Sequence, residues 1–393
     1  MTDLVHGMGT EMVRPDWPAI SADEVREVLA HYSWIVGESG APYIVWRSPR
    51  PMSAAALVRS ASASVFIKRH HVTVRSAARL EREHEFARHL RARGVSVPAV
   101  LSTTGGESTV QLGENVYEVH DAARGVDAYR DVPSWYPFVS VHHASSAGRA
   151  LAHFHAGARD FAPTAWTPEI LNDSMAIIGD DDPLRALFTM LERRSALAHA
   201  LDHFEYEEDF RRWLVPAIEH ASPLVRGEQT QWTHGDWHAS NLTWSTSDED
   251  ATVVEVLDLG LSNRTTAVRD LAIAVERNCV DWLDINQVGS VQPDFGGVDA
   301  LLDGYEDVSP LSKEQGAALI ALLPVSHVEF ALSEIEYFAD VVHSASNTSL
   351  AYEGFLLGHV KWFEGPLGTS LLSHLSERWS SSSRETRGTT PRG

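Results

Sequence analysis

Residues 233–242 read Thr-His-Gly-Asp-Trp-His-Ala-Ser-Asn-Leu, so two imidazoles, a carboxylate and a carboxamide share one short stretch. Two chemistries use such a set. His234 and His238, four residues apart, have the spacing of a metal-binding pair on a helix; alternatively, Asp236 and Asn241 are the working groups and the histidines hold the loop. A zinc pair of the His-Glu-x-x-His kind needs an unbroken helix and a glutamate after the first histidine, whereas Gly235 stands there and breaks a helix.

A second acidic position lies downstream. In TVVEVLDLGLSN (252–263), Asp258 closes an apolar run and Gly260 follows two residues later, which predicts a strand, a loop and a second strand holding Asp236, Asn241 and Asp258 together. Asn and Asp oxygens suit Mg²⁺, a hard cation that takes one or two protein oxygens together with substrate phosphates. Asp236 is then left to take a proton. Phosphoryl transfer needs this division of labour, because the protein chiefly positions the acceptor hydroxyl and neutralises charge on the phosphate oxygens.

The elements that must position these groups fall into two sets. Ser21 and Glu24 form a capping box that opens a helical prefix or lid over 21–32. From Ile44 to His70, three short apolar runs separated by turn residues predict a strand meander, and Val74–Arg93 reads as a helix stopped by Gly94. VYEVH (116–120) is a further strand. Beyond Gly125 helical patterns dominate, interrupted by the compact strand region at 232–263. The expected class is α+β, with an N-terminal lobe over 1–120, a helical lobe over 121–378 and a disordered Ser/Thr/Gly/Arg-rich tail over 379–393.

Composition narrows the partners. The chain has 393 residues, 44% of them hydrophobic, enough for a sizeable core. Its formal charge of −22 argues against nucleic acid, and no run approaches the ~20 apolar residues of a membrane helix. The single Cys279, read as core, and the absence of a basic, apolar N-terminal signal fit a cytoplasmic protein. The oligomeric expectation is a monomer or homodimer.

His-Gly-Asp-x-His-x-x-Asn followed by an apolar strand ending in Asp resembles the aminoglycoside phosphotransferase and choline kinase family, small-molecule relatives of the protein kinases. The resemblance runs in motif order over residues 44–345 and is dense at 52–98 and 231–273. It implies a two-lobed protein-kinase-like fold, with ATP, or GTP, and Mg²⁺ between the lobes and a small-molecule alcohol as acceptor. By the same resemblance Asp236 is the catalytic residue and Asn241 and Asp258 are the metal ligands. His234 and His238 are loop scaffold.

On the first lobe the resemblance implies Lys68, in SVFIKRHH, as the nucleotide lysine, with Glu83 on the next helix as its ion-pair partner. No Gly-x-Gly-x-x-Gly precedes Lys68; MSAAALV (52–58) looks like the family's phosphate loop, with Ser53 cradling phosphate. The strand carrying Glu118 and His120 is expected to lead into the connection between lobes and to meet the adenine edge.

For the acceptor, Glu329, Ser333 and Glu336 fall on one helical face that could bind a cation, although a solvated face explains that spacing as well. Asp281 raises the same possibility. The acidic balance points to an amine-bearing acceptor such as an aminoglycoside, with homoserine, amino alcohols or sugars as the alternative. A nucleotide-binding pseudoenzyme is a further alternative, against which all three loop oxygens are present.

Overall fold

A computed structural model describes the chain apart from residues 1–4, 7–11, 37–40, 49–51, 53, 61, 164–169, 172–173, 284–291 and 381–393. The expected α+β class is the observed one. After a two-stranded ladder of β1 (Val5–His6) and β2 (Met12–Val13), the helix α1 (Ala22–Leu29) begins on the capping box. Ser21 Oγ accepts the Glu24 N–H, and the Glu24 carboxylate accepts the Ser21 N–H. A short α2 (Ser33–Val36) follows.

The meander is present as β3 (Tyr43–Arg47), β4 (Ala54–Arg59) and β5 (Ser64–His71). The helix α3 (Ala77–Ala92) starts three residues later than the pattern suggested, because Ser76 caps it and Val74 and Arg75 turn back on His71. A strand the sequence did not announce, β6 (Thr109–Leu112), precedes β7 (Asn115–Asp121). The antiparallel sheet runs β3-β4-β5-β7-β6, with Lys68 directly opposite Glu118. Ile67, Val58, Val119 and Tyr117 of the sheet bury against Val28 and Leu29 of α1, so this lobe has its own apolar core.

Glu24 docks α1 on that sheet. Its Oε1 accepts from Arg69 Nη1 (2.5 Å) and from the Tyr117 hydroxyl (2.8 Å). Burial works to raise its carboxyl, but the Ser21 N–H, Arg69 and Tyr117 outweigh it and hold the group at about 2, against an ordinary 4.5. A depressed folded-state value stabilises the fold above the ordinary value, and that contribution disappears on acidification. Glu24→Gln is expected to lower the melting midpoint by about 2–4 °C at neutral pH. Melting curves should show the deficit intact above about pH 4.5 and closing toward pH 2; a deficit unchanged by pH would mean that its charge is immaterial.

The helical lobe contains α4 (Val141–Ala158), α5 (Pro183–Arg193), α6 (Ser195–Leu201), α7 (Tyr206–Asp209) and α8 (Val215–Val225). The expected hairpin of 232–263 is instead two separate antiparallel ladders: β8 (Thr230–Thr233) with β11 (Asn263–Thr266), and β9 (Leu242–Trp244) with β10 (Val253–Val256). Then come α9 (Ala267–Cys279), α10 (Phe295–Glu306), α11 (Lys313–Leu322) and α12 (Val328–Glu336). The last are α13 (Ala345–Ser349), α14 (His359–Glu364) and α15 (Pro366–Ser380), so Trp379 and Ser380 of the expected tail are helical. The helical run Lys313–Val341 is long and apolar enough to cross a membrane, but 83% of its most apolar window is buried inside the protein, as in a core helix.

Besides α3, whose Phe86 packs on Phe154 and Trp232, two segments join the sheet to the helices. After β7 the chain is pinned where Arg124 N–H and Nε donate to Glu255 (2.8 and 2.7 Å) and Val126 pairs with Trp244. The N-terminal segment makes the other junction. Trp17 stacks on His71 of the sheet, with centroids 5.3 Å apart, and its Nε1 donates to the Tyr337 hydroxyl (3.0 Å), which in turn donates to Asp16 (3.2 Å).

Candidate active site

The loop after β8 is aimed by α9. Asp270, fully buried on the first turn, accepts the His234 N–H and the Gly235 N–H, both at 2.8 Å. His155 Nε2 meets the same carboxylate at 2.9 Å, and Tyr305 meets its other ring nitrogen. Burial pushes the Asp270 carboxyl up, but His155 and the loop N–H groups hold it below the usual carboxylate range. Two turns along the same helix, Asn278 Oδ1 accepts the Ala239 N–H (2.9 Å) and Nδ2 donates to Trp237 O (2.9 Å). Both ends of the loop are thus bonded to one rigid element.

Gly235 has φ +76°, and a Cβ there would sit 2.4 Å from Leu261 O, so the backbone of the Asp258 segment passes directly against it. His234 is fully buried. Its Nδ1 accepts the Asp236 N–H (3.2 Å) and its Nε2 donates to Leu257 O (2.9 Å), which places the proton on Nε2. Burial lowers its pKa, so the ring is neutral and both nitrogens are occupied in the loop. His238 Nδ1 meets Ser240 Oγ (2.9 Å), and its Nε2 lies 3.4 Å from Asp236 Oδ2.

Asp236, Asn241, Asp258 and Lys68 are brought together. Asn241 Nδ2 donates to Asp236 Oδ2 and to Asp236 O, both at 3.0 Å, and the Leu257 N–H donates to Asn241 O (2.8 Å), setting the Asp258 strand beside the loop. Asp258 has φ +51°, an uncommon conformation for a residue with a side chain, and this turns its carboxylate toward the sheet. Lys68 Nζ binds both of its oxygens at 2.8 Å. Burial would raise the Asp258 carboxyl, but Lys68 keeps it well below the usual range; for Lys68 burial would lower the pKa, and Asp258 and Glu118 raise it instead. Asp258 and the Asn241 side-chain oxygen are therefore a charged and a neutral hard donor on adjoining segments, a set that fits Mg²⁺.

Several expected site residues lie elsewhere. Glu83 is not paired with Lys68: it is buried against Arg79 (2.8 Å) and Arg75 (3.2 Å) of its own chain segment, and Arg79 ties α3 to Ser262 O (3.0 Å). The two arginines flanking the helix start capture the carboxylate before the lysine can. Glu83→Gln should therefore lower the melting midpoint while leaving the KM for nucleotide within about twofold; a tenfold rise in KM would restore Glu83 as the lysine's partner.

The backbone at Glu118 and His120 is not open to an adenine edge, since β7 is flanked by β5 on one side and by β6 and residues 99–101 on the other. The Glu118 carboxylate is buried and accepts from His70, His84 and His120, each at 2.8 Å. Ser53 lies outside the described residues. The acidic face of α12 is neither solvated nor free for a ligand. Glu329 accepts Ile177 N–H (2.7 Å), Ser174 N–H (3.2 Å) and Ser174 Oγ–H (3.0 Å), and Glu336 is paired with Arg194, which also reaches Ser333 Oγ. Asp281 accepts the Leu283 N–H (3.3 Å). Trp282, Tyr337 and Trp362 are core.

The sequence reading missed Arg277. Its guanidinium forms an ion pair with Asp236 Oδ1 and lies over Trp135 (4.9 Å) and Phe330 (5.0 Å). The clue was available: Glu276 and Arg277 are charges in the last turn of a helix whose residues from Val268 to Cys279 are all buried.

A sheet-borne lysine facing an Asp/Asn loop across a two-lobed α+β molecule defines a phosphotransferase of the kinase-like class. The chain belongs to the phosphotransferase enzyme family known as APH, whose model matches residues 52–310. Among solved structures it is similar to an aminoglycoside phosphotransferase from Alicyclobacillus acidocaldarius, with 17% identity, TM-score 0.52, and 93% of this chain and 98% of that one covered. It is also similar to a microcompartment-associated aminopropanol kinase, with 15% identity, TM-score 0.55, and 91% and 100% covered. An amicoumacin kinase in complex with AMP-PNP and Ca²⁺ gives 11% identity, TM-score 0.52, and 85% and 92% covered. At these identities the likeness is one of fold. No curated protein matches by sequence.

Proposed function

We propose that this chain transfers the γ-phosphate of Mg·ATP to a hydroxyl of a small molecule, the sheet lobe through residue 120 holding the nucleotide and the helical lobe the acceptor. The observation that carries the reading is the convergence of Lys68, Asp258, Asn241 and Asp236 in one place. Lys68, released from Asp258, would bind the α/β-phosphates. Asp258 and Asn241 would hold the divalent ion, which when bound screens the charge of the triphosphate. Asp236 would orient the acceptor hydroxyl and take its proton, its loop fixed by Asp270, His234 and Asn278 so that little reorganisation is needed.

An amine-bearing acceptor, such as an aminoglycoside or amino alcohol, is supported by the net charge of −22. ADP release with Mg·ATP, and in parallel with Mg·GTP, should be measured against aminoglycosides, amino alcohols, homoserine and amino sugars. Stimulation by one class, absent in Asp236→Asn, names the acceptor; a flat panel despite Mg·ATP binding would count against turnover of these acceptors and favour a pseudoenzyme.

A further inference from the structure

Behind the Asp236 loop, four ionisable side chains meet in an apolar enclosure: Glu276 of α9, His327 at the start of α12, Glu334 within α12 and His359 of α14. Their exposures are 1%, 3%, 0% and 3%. Trp282 stacks on the His359 ring at 3.8 Å, and Phe330 and Phe355 pack edge-on to His327.

The groups approach one another at ion-pair distances. His359 Nδ1 lies 2.7 Å from Glu276 Oε1, His327 Nδ1 lies 3.7 Å from the same oxygen, and His327 Nε2 lies 3.4 Å from Glu334 Oε2. Yet among the described residues both oxygens of Glu276, both of Glu334, both nitrogens of His359 and His327 Nε2 have no partner in hydrogen-bond geometry. Buried polar atoms left unpaired in such numbers are rare and costly. The sheet-lobe cluster of His70, His84, His120 and Glu118 is a useful contrast, because there every imidazole is hydrogen-bonded to the carboxylate.

Two carboxyl groups and two imidazoles face one another here, and the nearest guanidinium, Arg277, pairs with Asp236 and keeps its Nε 4.0 Å from Glu276. That donor set suits a divalent cation. Ligand atoms of Glu276, His327 and His359 all lie within 4.8 Å of one another, and donors at tetrahedral angles about 2.0 Å from an ion stand ~3.3 Å apart.

We propose that Glu276, His327 and His359, with Glu334 beside them, bind one divalent transition-metal ion of the zinc type. Imidazole and carboxylate donors suit such an ion, and the apolar shell keeps it dry. The ion would join α9, α12 and α14, and because Glu276 precedes Arg277 in the chain it would fix the guanidinium that faces Asp236. This inference stands independently of the acceptor and of the transfer chemistry.

The test is metal analysis of the full chain as purified and after stripping and equilibration with Zn²⁺. About one equivalent per chain is expected, lost in His359→Ala and Glu276→Gln and retained in His84→Ala, with Zn²⁺ raising the melting midpoint of the stripped wild type by several degrees. Should the variants fold poorly, Co²⁺ added to the stripped wild type decides, since a bound ion gives visible d–d bands that Zn²⁺ abolishes. No bound metal, no Co²⁺ bands and an unmoved midpoint in the wild type would overturn the proposal and mean that protons neutralise the cluster. Metal that survives His359→Ala but is lost in His84→Ala would equally overturn it.

Discussion

Asp236→Asn should lower kcat by about 10³-fold or more while the dissociation constant for Mg·ATP stays within about twofold. The amide keeps the size of the side chain and can still meet Asn241, so the loop geometry set by Asp270 and Asn278 is retained. What it removes is the proposed proton acceptor and the negative charge facing Arg277. Arg277 is then a buried guanidinium without its carboxylate, and burial already draws it down to about 9. A modest fall in melting midpoint should accompany the loss of turnover. Steady-state rates, calorimetric nucleotide binding and melting curves on one preparation separate these effects, and a variant that still turns over would remove Asp236 from the chemistry.

The largest effect on stability is expected from Asp270→Ala. Removing that carboxylate leaves two loop N–H groups and the His155 imidazole without their acceptor in a fully buried place, a cost of about 3–5 kcal/mol. Because the loop it holds carries Asp236, activity should be lost even under conditions where the variant remains folded. The pH sign is fixed by the depressed carboxyl. It stabilises the fold at pH values above those where the unfolded carboxyl titrates, about 4, and ceases to do so as the pH falls through its lower folded-state value. Urea midpoints of wild type and variant should therefore differ most near neutrality and converge in acid. A deficit below ~1 kcal/mol would mean that the loop finds other partners.

The Asp236 loop was legible because its groups are close in sequence: Gly235, Asp236 and Asn241 lie in one short segment, and the apolar run before Asp258 has the length and composition of a strand. Lys68 was legible for a similar reason, since strand periodicity places it at a fixed point of the sheet. What failed were the partners chosen across space. Glu83 shares a helix face with Arg79 and follows Arg75 by two turns, and those nearer cations take it. The acidic spacing of Glu329, Ser333 and Glu336 shows that they share a face, but not what packs on that face. Arg194 and the amides of Ser174 and Ile177 arrive from more than a hundred residues away. Arg277 was overlooked because a charge in an apolar helix carries no spacing motif.

Contacts between the sheet lobe and the helices are spread over several segments, and this restricts how the molecule can move. Arg124 is held on Glu255, Trp17 on Tyr337 and Arg79 on Ser262 O, while Phe86 of α3 packs on Phe154 and Trp232. A body held at several separated places has less freedom to swing than one held at a single hinge. Cutting the chain ahead of Pro18 removes one of these holds, so a truncated protein would retain every residue of the Lys68–Asp258 contact yet keep the two facing each other under one restraint fewer.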